Sequence, residues 1–290
     1  MIGPAILISA LLVGAAGRIH RRILERSLAA RYRRDARGII VGAETIEIDG
    51  TNGAAVLLIH GGGDTPQTLQ HLARALQSRG YSVVAPLLPG HGRSLSEFAA
   101  HDADEWYEEV RLQFARLREK HSWVGVVGLS MGGALAARLA AETKAVGALV
   151  LASPYLTMPP VGDIAARTSW LWGALVPTVR TSSDHSVLDP EARAVSLGYG
   201  AFTSRSLRAL RLTAQRGRNA LPDVQTPTLV VQSTTDNRIT TADTELAFKH
   251  LGAKDKSLHW IDGAGHVITV DYGWQRVVAM AGDWMDSHRG

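Results

Sequence analysis

Gly128-Leu129-Ser130-Met131-Gly132 stands between a β-rich run, Val124 to Val127, and an alanine-rich stretch, Ala134 to Ala141. A strand that turns sharply into a helix at such a pentapeptide holds its serine in a strained backbone conformation, and side chains two positions before and after it would collide. Glycine at 128 and 132 removes those side chains and lifts the Ser130 hydroxyl clear of the sheet. The helix N-terminus that follows supplies unpaired N–H groups and a positive dipole end where negative charge would develop. Ser130 is therefore the candidate nucleophile, and strand, turn and helix in that order are the repeating unit of a parallel sheet.

The same alternation extends to both sides. Short β-branched runs predict strands at 45–48, 55–60, 82–85, 123–127, 147–152, 228–232 and 258–261, and amphipathic stretches predict helices at 68–79, 103–120, 131–142, 241–251 and 272–288. Leu69, Leu72, Ala73 and Leu76 keep one apolar face at helical spacing. The alternation breaks over residues 153–222, which carry several prolines, Trp170-Leu171-Trp172 and no strand signal. That insertion reads as a helical cap over the strand C-termini, where open α/β sheets bind ligands, with the tryptophans as candidate pocket walls. Residues 41–152 and 223–290 then form the α/β core, and residues 1–40 are a separate N-terminal segment.

Three further features bear on Ser130. His60-Gly61-Gly62-Gly63 follows the strand at 55–60, which makes the Gly62 backbone N–H, with that of Met131, a candidate oxyanion donor. The strand at 228–232 leads into Ser233-Thr234-Thr235-Asp236, and the strand at 258–261 into Asp262-Gly263-Ala264-Gly265-His266. A carboxylate and an imidazole thus sit on the exit loops of the last two strands, in the chain order Ser130, Asp236, His266. A serine hydroxyl is a weak nucleophile at neutral pH, so His266 is expected to take its proton and Asp236 to hold the imidazole tautomer.

Composition narrows the alternatives. The chain has 290 residues, 46% of them hydrophobic, and no cysteine, which excludes disulfides, thiolate-bound zinc and a cysteine nucleophile. Neither an H-E-x-x-H motif nor a dinucleotide-binding glycine pattern is present, so no metal and no cofactor are expected. The net charge is +4, yet residues 1–40 alone hold eight arginines against Glu25 and Asp35. The rest of the chain is slightly acidic and lacks a basic patch interleaved with aromatics, so no nucleic-acid partner is expected.

Residues 2–17 form an uncharged apolar run directly followed by Arg18-Ile19-His20-Arg21-Arg22. Sixteen helical residues reach about 24 Å, short of a hydrocarbon core of about 30 Å unless the arginines snorkel. Association with a membrane is expected, with the following domain on the cytoplasmic side because positive charge flanks the C-terminal end of the run. A secretory signal and a soluble cytoplasmic chain with a packed apolar helix are the alternatives.

At these residues the sequence resembles the α/β-hydrolase superfamily, and is similar to bacterial carboxylesterases and monoacylglycerol lipases. The similarity runs from about Val56 to Trp284, through Ala85-Pro86 to Gly90-His91-Gly92, Asp104-Glu105-Trp106, Gly128 to Gly133, Thr226 to Gln232 and Gly265-His266-Val267-Ile268-Thr269. The resemblance implies a Ser/Asp/His esterase acting on a small-molecule acyl ester or lipid, without cofactor, with a small cap and with oxyanion donors at Gly62 and Met131. Relatives often carry a larger residue at the position of Gly62, and a glycine there is expected to widen the acyl entrance. The same three residues could serve a thioesterase, an acyltransferase or another acyl or C–C hydrolase, and a membrane-tethered binding module is the non-catalytic alternative.

Overall fold

The computed structural model describes residues 3–173, 176, 178–180 and 186–289. Its elements run α1 (Gly3–Arg31), β1 (Ile46–Ile48), β2 (Ala55–Ile59), α2 (Gln70–Ser78), β3 (Ser82–Ala85), α3 (Leu95–Ala100), α4 (Ala103–Lys120), β4 (Val124–Leu129) and α5 (Met131–Thr143). There follow β5 (Leu149–Ala152), α6 (Pro160–Arg167), α7 (Ser169–Trp172), β6 (Thr178–Arg180), α8 (Pro190–Ala194), β7 (Ala201–Thr203), α9 (Ser204–Ala220), β8 (Thr228–Ser233), α10 (Thr241–His250), β9 (Lys256–Ile261) and α11 (Trp274–His288).

Seven strands form one sheet in the order β1-β3-β2-β4-β5-β8-β9. Only β1 is antiparallel to its neighbour; every other pair is parallel. From β2 the chain first winds to β3 on one side and then crosses to β4 on the other. The strand order reverses there, so the loops leaving β2 and β4 diverge and open a crevice at their C-terminal ends. Ile59 pairs with Gly128 in that register, which places the His60-Gly61-Gly62 loop beside Ser130.

All five residues of β2 are buried because both faces of the sheet are covered. Leu57 and Ile59 face a core shared with Trp106, Phe114, Leu135 and Leu139 of α4 and α5. Val56 and Leu58 face the opposite core, with Leu72 and Leu76 of α2 and Val277, Ala281 and Met285 of α11. The start of α4 is fixed by a capping box, in which Asp102 accepts from the backbone of Asp104 and Glu105 while Glu105 returns a bond to the Asp102 N–H.

Two expectations change. Residues 153–222 are not wholly helical: β6 and β7 pair as a two-stranded antiparallel ribbon, too short for hydrophobic periodicity to reveal. The last helix of that region, α9, packs on the core helix α5 so tightly that a Cβ on Gly217 would lie 2.6 Å from the Ala134 carbonyl oxygen. The 1–40 segment is also not detached. Leu28, Tyr32, Ile39 and Ile40 are buried, the Ile40 N–H donates to the Gly92 carbonyl, and the Tyr32 hydroxyl bonds the carbonyls of Ser196 and Gly198. Further out on α1, Leu12, Val13, Ile19 and Ile23 are exposed. Among the described residues no helix is long and apolar enough to cross a membrane.

Candidate active site

Ser130 ends β4 and starts α5 with φ 54° and ψ −118°, a conformation that L-residues rarely adopt and that the flanking glycines make possible. A Cβ on Gly128 would lie 2.3 Å from the Gly132 carbonyl oxygen, and one on Gly132 would lie 2.1 Å from that of Ile59. The turn is pinned on both sides: the Ser130 N–H donates to Ala152, and the Ser130 carbonyl accepts from Gly133 and Tyr155. Only the side chain is left to project into the crevice.

His266 lies on the loop after β9, and its Nε2 is 2.7 Å from Ser130 Oγ. Its Nδ1 is 2.7 Å from Asp236 Oδ2. A proton on Nδ1 donated to the carboxylate leaves Nε2 as the acceptor for the serine hydroxyl, the tautomer that a general base needs. Asp236 Oδ1 accepts from the backbone N–H groups of Arg238 and Ile239. Burial pushes the Asp236 carboxyl up, but the facing His266 charge and hydrogen bond, together with those N–H donors, outweigh it and hold the carboxyl below its usual range. The structure thus brings Ser130, Asp236 and His266 into one hydrogen-bonded chain.

Gly62 and Met131 also meet. A Cβ on Gly62 would lie 3.6 Å from Met131 Cβ and 3.2 Å from its sulfur. Neither backbone N–H finds a protein acceptor among the described residues, which leaves both free for an oxyanion. The loop that carries Gly62 is braced by His60, a fully buried residue whose Nδ1–H donates to the Gly61 carbonyl while Nε2 accepts from the Leu88 N–H. Burial pushes the His60 imidazole down to about 4, so it is a neutral strut at physiological pH.

Above these residues lies a cavity of about 450 Å³. Met158, Val179, Phe202, Leu207 and Leu210 from the inserted region form much of its apolar wall. Trp170 and Trp172 do not: Trp170 points to solvent, 70% exposed, and Trp172 turns its indole N–H to the Ala165 carbonyl. The pattern of aromatics in the sequence could not tell an inward tryptophan from an outward one. Among the described residues no three His, Asp or Glu side chains come together as a metal site requires.

Two acidic residues escaped the sequence reading. Asp271, fully buried, accepts from the backbone N–H groups of Gly265, Leu188, Asp189 and Tyr272 and so fixes the approach to His266. Asp64 lines the cavity, and burial pushes its carboxyl up to about 6 against the opposing charges of His266 and Arg238. A raised carboxyl favours the folded state at low pH and loses that advantage as pH rises from about 4 through about 6. Asp64→Asn is therefore expected to raise Tm at pH 7.5, by on the order of 5 °C, and to leave it unchanged at pH 3.5; equal melting curves at both pH values contradict this. Neither residue lies in a motif that spacing alone could single out.

The chain is similar to proteins of known family and fold. The family model Hydrolase_4, described as "Serine aminopeptidase, S33", matches residues 50–272. A thermostable monoacylglycerol lipase of Bacillus sp. (strain H-257) is 25% identical over 253 residues, covering 87% of this chain and 98% of that protein. A carboxylesterase of Bacillus subtilis (strain 168) is 27% identical over 219 residues, 75% of this chain and 86% of that one. Among solved structures, the monoacylglycerol lipase of Paleococcus ferrophilus superimposes with a TM-score of 0.74 at 21% identity, over 84% of this chain and 98% of that one.

Proposed function

This chain belongs to the Hydrolase_4 family and has the α/β-hydrolase fold, and on that premise we propose that it is a serine hydrolase cleaving carboxylic esters of short to medium acyl chains, or monoacylglycerols, through an acyl-enzyme on Ser130. The observation that carries the proposal is the pair of 2.7 Å contacts joining Asp236, His266 and Ser130 on the floor of an apolar cavity. The names of the two Bacillus relatives support the substrate class.

In the first half of the reaction, Ser130 Oγ attacks the acyl carbonyl as its proton passes to His266 Nε2. The carbonyl oxygen, now negative, receives the N–H groups of Gly62 and Met131, and loss of one such donor typically costs about 10² to 10³ in kcat. Collapse of the tetrahedral intermediate expels the alcohol, which takes the proton from His266. Water then repeats the sequence on the acyl-enzyme, with His266 again as base, and releases the acid and the free serine. Asp236 stays ionised throughout and stabilises the imidazolium.

The test is initial-rate hydrolysis of p-nitrophenyl esters of increasing acyl length and of a monoacylglycerol, with labelling by a fluorophosphonate. Turnover with an optimum at short to medium chains, and labelling at Ser130, are expected. A serine that labels but turns over only thioesters, or transfers acyl groups to an added acceptor, moves the chemistry to those classes; no labelling of a folded chain overturns the proposal.

Contact with an anionic lipid surface through residues 1–40 is part of the same reading, supported by the arginine excess and the exposed Leu12, Val13, Ile19 and Ile23. Co-flotation with anionic vesicles, lost on removal of residues 1–17, is the expected result; equal flotation of both chains removes this part.

A further inference from the structure

Gln232 is fully buried near the end of β8, where an apolar side chain would be the ordinary choice. Its Nε2 donates to Asp236 Oδ2 at 2.7 Å, the same oxygen that faces His266 Nδ1. Reversing the amide would set two oxygens against each other, so the orientation is determined by chemistry. The Gln232 Oε1 finds no partner among the described residues, which means the amide is buried for the sake of this one bond. With Arg238 and Ile239 on Oδ1, it completes four donors around the carboxylate, about the number that a carboxylate can accept.

We propose that Gln232 is a positioning residue for the triad: it fixes Asp236 Oδ2 toward His266 and weakens the pull of that oxygen on the imidazolium, which sets the pH at which His266 is available as base. The inference rests on the triad reading of Ser130, Asp236 and His266. A neutral donor shared with the imidazole spreads the negative charge of Oδ2, so the charged form of His266 gains less from the carboxylate than it would from an oxygen that served His266 alone. The other groups facing His266 are Asp64 and Arg238, charged groups that also line the cavity, and Tyr155, whose ring lies edge-on at 6.5 Å. Arg238 meets Asp236 through its backbone N–H on Oδ1, and its guanidinium donates to Ser186 Oγ.

The test is the kcat/KM profile of wild type, Gln232→Leu and Gln232→Glu between pH 5 and 9. Gln232→Leu is expected to move the acid limb upward by about half a pH unit and Gln232→Glu, which adds a second carboxylate, by about one or more. The plateau rate is expected to fall by about 10-fold in each. A purely structural glutamine predicts lower Tm or lower rate with the limb in place, and limbs that superimpose on wild type overturn the proposal. If neither variant folds, the side-chain amide proton of Gln232 in isotope-labelled wild type carries the test: its resonance must move as His266 titrates, and a stationary resonance has the same meaning. Wild-type activity that persists in Ser130→Ala removes the triad reading instead, so the two failures are distinguishable.

Discussion

Alanine at Ser130 is expected to lower kcat for ester hydrolysis by about 10³ to 10⁶ while leaving KM within a few-fold. In the proposed mechanism the hydroxyl forms the acyl bond, and it is the hydroxyl that lies 2.7 Å from His266 Nε2. The turn is held by backbone bonds that alanine keeps, so Tm should hold. Alanine at His266 should cost a similar factor, and the double variant little more than either single one, because the residues act as a unit. Residual turnover near the wild-type rate in Ser130→Ala, after fluorophosphonate titration has excluded contaminating enzyme, would place the nucleophile elsewhere.

Gly132→Ala should have the largest effect on stability. The added Cβ would lie 2.1 Å from the Ile59 carbonyl oxygen, 2.6 Å from the Ile59 carbonyl carbon and 2.8 Å from the His60 carbonyl oxygen. All three are main-chain atoms at the end of β2, a central strand paired on both edges, so no side chain can turn aside to make room. Relief requires β2 and α5 to part, which breaks ladder bonds and opens the core between them; a loss of more than about 4 kcal/mol is expected. The informative control is Gly53→Ala, where φ is +78° but nothing lies within 4 Å, and where a loss of only about 1 kcal/mol is expected from backbone strain. Chemical denaturation separates the two; similar midpoints for both would mean that the packing around Gly132 gives way more easily than its geometry implies.

The contrast between these glycines shows why some of this protein was legible in its sequence. Gly128, Ser130 and Gly132 obey a steric rule that operates within a few residues, and the sheet that the flanking segments imply is the one observed, with Ser82–Ala85 and Ala103–Lys120 matching residue for residue. Asp236 and His266 were readable because strand exits are local and the order of the sheet brings them together. Asp64, Asp271 and Gln232 were not, since each owes its importance to partners distant in sequence or to burial, neither of which periodicity records. The ribbon of β6 and β7 was missed because three residues carry no period, and the docking of residues 28–40 because arginines hide a sparse apolar face. Gly62, read as an opening of the acyl entrance, lines the cavity, where an added Cβ would meet the side chains of Met131 and Leu210 at 3.2 to 3.6 Å.

The contact between Gly217 and Ala134 ties the last helix of the inserted region to the core. α9 serves both sides: Gly217 presses it against α5, while its Leu207 and Leu210 line the cavity. An exchange of the inserted segment that spares the support of α5 therefore ends just before Ser204 and leaves Leu207 and Leu210 in the cavity wall. A chimera that imports a foreign segment up to residue 203 keeps the support of α5 intact; one that also replaces α9 asks a stranger to fit a gap where even a methyl group is too large.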